Sequence, residues 1–260
     1  MQLHFRTSDK NSRESSRREV LILGPSLGTT SRLWDQARQS LDDDFHVYAW
    51  DLPGHGGSPV AGGAISMTML AQSVLEIADA EGITKFHYAG ESIGGAVGLE
   101  LARFAPERLS SLTVVCSAAK IGESGAWIDR AKLVESTGLG AIIEATPSRW
   151  FSPLFINDRP EVVASMLAEL ETTDSRSYAR LCEALSSFDA REWLRGIDVP
   201  TLALAAENDV VTPVEQASYI AGTVLRGKLE VVPDAAHQAV VEQPERVATL
   251  ITEFIRNIHD

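Results

Sequence analysis

Along most of the chain, short apolar runs alternate with longer stretches of helical period. Runs at 2–5, 20–23, 46–50, 86–89, 112–116, 201–205 and 228–232 have the length and bounding turn residues of strands. Between them, residues 67–81 put Leu70, Val74, Ile77 and Ala78 on one helical face. Near the end, residues 244–258 align Val247, Leu250, Ile251, Phe254 and Ile258 into one stripe. Strands spaced by helices predict an α/β fold, a mostly parallel sheet flanked by helices.

The stretch 120–197 breaks this alternation. It holds helical patterns at 126–136, 161–170 and 177–187 but no convincing strand, and 201–205 then resumes the sheet. The expected organisation is a core from 1–119, a helical cap insertion at 120–197, and a second core part at 198–260. The insertion's aromatics, Trp127, Trp150 and Phe151, suit two roles, lining a substrate pocket or forming the cap's own small core. The polar run 8–18 reads as a solvated hairpin loop.

A length of 260 residues fits one large α/β domain carrying an insertion, and 44% hydrophobic with 23% charged residues suits a globular enzyme. The net charge of −13 argues against nucleic acid or an anionic membrane as a partner. It also means that an anionic substrate requires a locally basic pocket. Cys116 and Cys182 sit far apart in apolar surroundings, reading as small buried thiols, and no metal-binding spacing is present. No cofactor is expected. With neither an apolar signal core near the start nor a membrane-length apolar run, the expectation is a soluble cytoplasmic protein acting on a small molecule.

The strongest chemical signal is Gly90-Glu91-Ser92-Ile93-Gly94, set between the strand ending near Ala89 and a helical run to Phe104. A Gly-x-Ser-x-Gly in a strand–turn–helix setting is a nucleophile elbow, which pushes the serine hydroxyl out of the top of a sheet. A serine needs a base to take its proton and a carboxylate to orient that base. In chain order serine, acid, histidine, only His237 and His259 remain after the acid region, and His259 is penultimate. His237 follows the last strand and is the candidate base. Asp209 lies beyond the strand 201–205, in a turn closed by Thr212-Pro213, and is the candidate acid. Glu207 is its fallback, and loop solvation accounts for Asp234. For an oxyanion hole, Ile93 N–H is one donor and Leu27 N–H, in the loop after strand 20–23, is the other. His55, in the turn-rich loop 51–58, reads as a structural hydrogen-bonder.

These features make the chain resemble the α/β-hydrolase superfamily along nearly its whole length and, within it, the 3-oxoadipate enol-lactonases of aromatic catabolism. Four places carry the resemblance: Gly24-Pro25-Ser26-Leu27-Gly28-Thr29 with Trp34; Asp51-Leu52-Pro53-Gly54-His55-Gly56; Ala118-Ala119-Lys120-Ile121-Gly122 with Trp127; and Ala145-Thr146-Pro147-Ser148-Arg149-Trp150-Phe151. The run from Tyr178 to Leu185, with Asp189, also resembles that family's cap. The chain departs from it at Glu91, where an uncharged residue is usual, at Leu181, where a second cysteine often sits, and in the longer polar stretch 8–18. The resemblance implies hydrolysis of a cyclic enol ester through an acyl-enzyme on Ser92, with Asp209 and His237. It also requires a cation for the substrate's free carboxylate, with Arg149, Lys120 and Arg130 as candidates and Trp127 and Trp150 as further pocket residues. Alternatives are a carboxylesterase or acyl-lactone hydrolase for a neutral ester, and a non-catalytic ligand-binding protein on the same fold.

Overall fold

The computed structural model describes residues 2–7 and 18–258. Seven strands form one sheet in the order β1-β3-β2-β4-β5-β6-β7. They are β1 (Phe5–Thr7), β2 (Val20–Gly24), β3 (His46–Trp50), β4 (Phe86–Glu91), β5 (Leu109–Val115), β6 (Thr201–Ala206) and β7 (Gly227–Val232). All neighbouring pairs are parallel except β1 with β3. The first strand differs from the expected 2–5. The ladder begins only at Phe5 opposite Trp50, because residues 2–4 run past the end of β3. The strand β5 starts three residues before the expected Leu112, where Ser110 and Ser111 masked it; buried Ser111 is satisfied by His87 Nδ1 at 2.8 Å. Residues 8–17 of the polar loop and His259 lie outside the described residues.

The strands' two-residue period divides the core into two layers. Ile22, Tyr48, Trp50 and Ala203 face one side, where they pack with α2 (Met67–Ala80) and α3 (Ile93–Phe104). Leu21, Leu23, Val47, Ala49, Leu202 and Leu204 face the other. There they meet α1 (Asp35–Asp44) and, after the last strand, the stripe of the C-terminal helix. The helix α1 carries only Ala37 and Leu41 as buried apolar side chains, too thin a stripe to stand out in the sequence. In α3 every residue from Ile93 to Ala102 is buried, so no polar face marks it as amphipathic.

Between β5 and β6 run six helices and no strand: α4 (Ser124–Thr137), α5 (Gly140–Ile143), α6 (Thr146–Trp150), α7 (Pro153–Asp158), α8 (Pro160–Glu171) and α9 (Ser175–Ser187). The three longest match the sequence periods, whereas α5, α6 and α7 are too short to show one. Ala190 N–H donates to Ala119 O at 2.7 Å, tying the exit of this helical insertion to its entrance. After β6 come α10 (Val214–Thr223), then, past β7, α11 (Ala239–Glu242) and α12 (Pro244–Asn257).

The helix α3 approaches the sheet so closely that its first turn has no room for a side chain. A Cβ on Gly94 would lie 2.7 Å from Pro25 O and 2.8 Å from Gly24 C, both backbone atoms. Gly94→Ala is therefore expected to destabilise the fold by roughly 1–3 kcal/mol through overpacking, despite gaining about 1 kcal/mol of helix propensity. Denaturant or thermal unfolding of the variant checks this.

Candidate active site

Every element of the site lies just past the carboxyl end of a parallel strand, where an open α/β sheet forms its crevice. Ser92 ends β4 and opens α3 with φ 55° and ψ −117°, a backbone region that side chains other than glycine rarely occupy. The turn holds it there. Ser92 N–H donates to Val115 O at 2.9 Å, and Ser92 O accepts from Ser117 Oγ at 2.7 Å. A Cβ on Gly90 would lie 2.3 Å from Gly94 C and O, so the elbow closes only around glycines.

Ser92, Asp209 and His237 meet there, all buried. His237 Nε2 lies 3.0 Å from Ser92 Oγ, and His237 Nδ1 lies 2.9 Å from Asp209 Oδ2. Asp209 is fully occupied as an acceptor. Its Oδ1 takes Val211 N–H at 2.7 Å and Thr212 N–H at 3.0 Å, and its Oδ2 takes Thr212 Oγ–H at 2.7 Å. Burial alone would raise its pKa, but the facing His237 and these hydrogen bonds outweigh burial and bring it to about 2. An ionised Asp209 on Nδ1 fixes the tautomer that leaves the Nε2 lone pair for the Ser92 proton. Glu207, the fallback acid, is exposed and instead accepts from Asp234 N–H at 3.1 Å, bracing the loop that carries His237.

Leu27 lines the cavity with Ser92, and neither Leu27 N–H nor Ile93 N–H has a protein acceptor among the described residues. The Leu27 loop is shaped by groups from the 51–58 segment. His55 Nε2 accepts from Gly28 N–H at 3.2 Å while its Nδ1 donates to Pro53 O at 2.9 Å, so the ring is neutral. Complete burial drives its pKa from 6.5 down to about 4. Asp51 takes Ser31 N–H at 2.6 Å and Gly57 N–H at 2.9 Å, joining the same two loops. The segments 24–29 and 51–56 thus have a physical reason, which is to hold the Leu27 backbone in place.

The cavity at Ser92 is small, about 30 Å³, and is roofed by Trp127, Arg130, Thr146, Arg149, Trp150 and Tyr178 from the insertion. Trp127, Arg130, Arg149 and Val211 also border an outer cleft of about 590 Å³. Arg130 donates to Tyr178 Oη through Nε at 3.0 Å and Nη2 at 2.7 Å. Among the described residues neither Arg130 nor Arg149 is within ion-pair distance of a carboxylate. Partial burial and the charge of Arg130 press the half-buried Arg149 below its ordinary pKa. Lys120 is not among the side chains lining either space; its charge acts on Asp189. The aromatics divide: Trp127 and Trp150 line the cavity, while Phe151 is buried against Phe155, ring centroids 5.3 Å apart.

Three supporting residues owe their setting to contacts that the sequence does not show. Glu91 is fully buried, with Oε1 accepting from Val240 N–H at 3.3 Å and Oε2 lacking a partner. Burial, then the nearby Asp209 and Glu242 charges, pushes its carboxyl well above the ordinary range. Ala236 N–H donates to Glu242 Oε1 and Gln238 N–H to Trp150 O, one bond on either side of His237. Such contacts are made across the fold, and no local pattern announces them. Among the described residues there is no cluster suited to a metal ion and no helix long and apolar enough to cross a membrane.

This geometry, a strained serine on a strand–helix elbow facing a histidine and an aspartate from later strands, is that of the α/β hydrolases. The family model for the alpha/beta hydrolase fold matches residues 19–244, and the chain belongs to that family. Among curated relatives, it is 37% identical to 3-oxoadipate enol-lactonase 2 of Acinetobacter baylyi, over 88% of this chain and 85% of that protein. It is 34% identical to 3-oxoadipate enol-lactonase 1 of the same organism, over 92% and 89%. The solved enol-lactonase from Burkholderia xenovorans LB400 superposes with a TM-score of 0.92 at 28% identity, covering 98% of this chain and 96% of that one.

Two buried titrating groups, His55 and Glu91, respond oppositely to pH. His55 binds fewer protons folded than unfolded between about pH 4 and 6.5, so its contribution is complete above 6.5 and lost as pH falls toward 4. That contribution is on the order of 3 kcal/mol, and His55→Gln should flatten the fall of Tm across this window. Glu91, with its raised pKa, instead costs stability as pH rises from the ordinary carboxyl value toward its folded value. In paired melting curves, Glu91→Gln is therefore expected to gain stability over the wild type increasingly as pH rises.

Proposed function

We propose that the protein is a serine hydrolase that opens a carboxylate-bearing lactone through an acyl-enzyme, its substrate being 3-oxoadipate enol-lactone in aromatic-compound catabolism. The observation that carries the substrate class is the pair of arginines, Arg130 and Arg149, left without carboxylate partners beside Ser92 in a chain of net charge −13. Two guanidinium groups in a half-buried cleft repel each other and gain from an anion between them. The enol-lactonase relatives support the same assignment. In this reading the helices of 120–197 act as the cap that holds the carboxylate, with Trp127 and Trp150 packing against the ring.

The chemistry follows from the contacts. His237 Nε2 takes the Ser92 proton as Oγ attacks the lactone carbonyl, and Asp209 stabilises the imidazolium that forms. Negative charge developing on the carbonyl oxygen is met by the Leu27 and Ile93 N–H groups, each worth about 3 kcal/mol in the transition state. Collapse breaks the ring C–O bond, and the imidazolium protonates the departing oxygen. The product is an enol that ketonises, which draws the reaction forward. His237 next deprotonates water, which attacks the acyl-enzyme, and the proton then returns to Ser92 Oγ as the acid leaves. One feature favours a second reading, a carboxylesterase for bulkier esters: the outer cleft is far larger than a small lactone and is walled by Ile121, Ala126, Leu133 and Ile142.

Steady-state kinetics on 3-oxoadipate enol-lactone beside p-nitrophenyl acetate test both. Ser92→Ala is expected to lower kcat on either substrate by roughly 10⁴-fold or more. Arg149→Ala is expected to lower kcat/KM for the enol-lactone roughly tenfold to a hundredfold, the worth of a charge-assisted contact, while sparing the neutral ester. Fast Ser92-dependent ester turnover with no enol-lactone turnover would leave the esterase.

A further inference from the structure

The loop that carries His237 is bonded on both sides to the segment that roofs the cavity. Before the histidine, Ala236 N–H donates to Glu242 Oε1 at 2.9 Å. After it, Gln238 N–H donates to Trp150 O at 2.8 Å. The same Glu242 carboxylate accepts from Ser152 N–H at 3.2 Å and from Ser152 Oγ–H at 2.5 Å. Ser152 caps α7, its Oγ accepting from Phe155 N–H at 3.2 Å, and stands two residues beyond the end of α6. That short helix holds Arg149 and Trp150. Fully buried Gln238 reaches a third part of the site, donating through Nε2 to Ser26 Oγ at 3.2 Å in the loop that bears Leu27.

We propose that Glu242 is a positioning residue that, together with the main-chain bond from Gln238 to Trp150, couples the substrate-contacting segment Arg149–Ser152 to the base His237, so that seating the substrate on α6 holds the imidazole in register against Ser92. Neither side chain touches the reacting atoms: Glu242 acts through Ala236 N–H and Ser152, and Gln238 through its own main-chain N–H on Trp150 O. The two bonds flank a single residue, so a shift of α6 moves the main chain on both sides of His237 together. Side-chain precision of this order matters, because a displacement of about 1 Å at a general base costs on the order of a hundredfold in rate. The inference rests on reading His237 as the base for Ser92. It adds a route by which binding at the arginines reaches the chemical step.

The test is a double-substitution cycle in the full-length protein, measured with enol-lactone and p-nitrophenyl acetate, the active fraction being counted from the acyl-enzyme burst. Glu242→Ala is expected to lower kcat on the enol-lactone about tenfold or more with KM within about twofold. Glu242→Gln, which keeps an acceptor for Ala236 N–H, should recover most of it. Ser152→Ala, which removes one hydroxyl and leaves the fold's backbone bonds in place, should reproduce part of the kcat loss. Combined with Arg149→Ala, Glu242→Ala should cost far less than in the parent, because the signal it carries is already absent. Losses that multiply independently in the double variant would overturn the coupling. So would a lowered Tm with an unchanged kcat per active site, which marks a purely structural role. Absence of Ser92-dependent turnover of either substrate in the wild type would overturn the hydrolytic reading itself.

Discussion

The backbone of Ser92 is held where a serine does not rest by choice, and the surrounding architecture answers to that requirement. The turn around it closes only if Gly90 and Gly94 lack side chains and if α3 lies almost against the end of β2. That close approach leaves α3 buried on every side in its first three turns and brings the Pro25 carbonyl within 3.1 Å of Gly94 N–H. The loop beyond β2 is thereby fixed beside the serine. The 51–58 segment then fills in behind that loop, with a neutral His55 and a multiply bonded Asp51. Local strain at one residue is sustained because packing on all sides leaves it no alternative.

Electrostatics is the second organising theme. The chain is strongly acidic, yet the half-buried space above Ser92 presents two arginines and no partnered carboxylate. Carboxylates near the triad are treated individually. Asp209 is saturated with donors and ionised, whereas Glu91, one residue from Ser92, is pushed by burial toward its neutral form. The arrangement keeps one negative charge directed at His237 and limits competing ones behind it. The outer cleft also carries Glu123 and Asp129, so the basic character is confined to the inner end, where Arg130 and Arg149 border the Ser92 cavity.

Much of this was legible in the sequence, for identifiable reasons. The elbow can be read because its geometry excludes almost everything but glycine at two positions. Asp209 and His237 can be read because each must follow a strand, and the strands carry uninterrupted apolar runs. What escaped was either too short or too distributed. The helices α5 to α7 span little more than a turn each, so no period develops, and α1 buries two apolar side chains. The start of β5 was hidden by serines whose burial is compensated by His87 from a neighbouring strand. Glu91 stood out as unusual, but its fully enclosed setting depends on Val240, far along the chain. Gln238 and Glu242 gain their meaning from Trp150 and Ser152, contacts that hydropathy does not encode.

The hydrogen bond between Ala190 and Ala119 gives the helical insertion a narrow neck. A unit whose two chain ends meet at one neck can diverge or lengthen while the sheet and the corners that hold Ser92, Asp209 and His237 stay as they are. Its exchange is nevertheless constrained from above: a replacement roof must still present a carbonyl where Trp150 offers one and donors where Ser152 does. Grafted caps chosen for pocket shape alone would sit correctly on the sheet and leave the histidine loop unsupported. Exchanging this insertion thus means matching the Trp150 and Ser152 positions, and also the bonds that Asp174 and Ser177 make to Gly54 and Ala61 of the core.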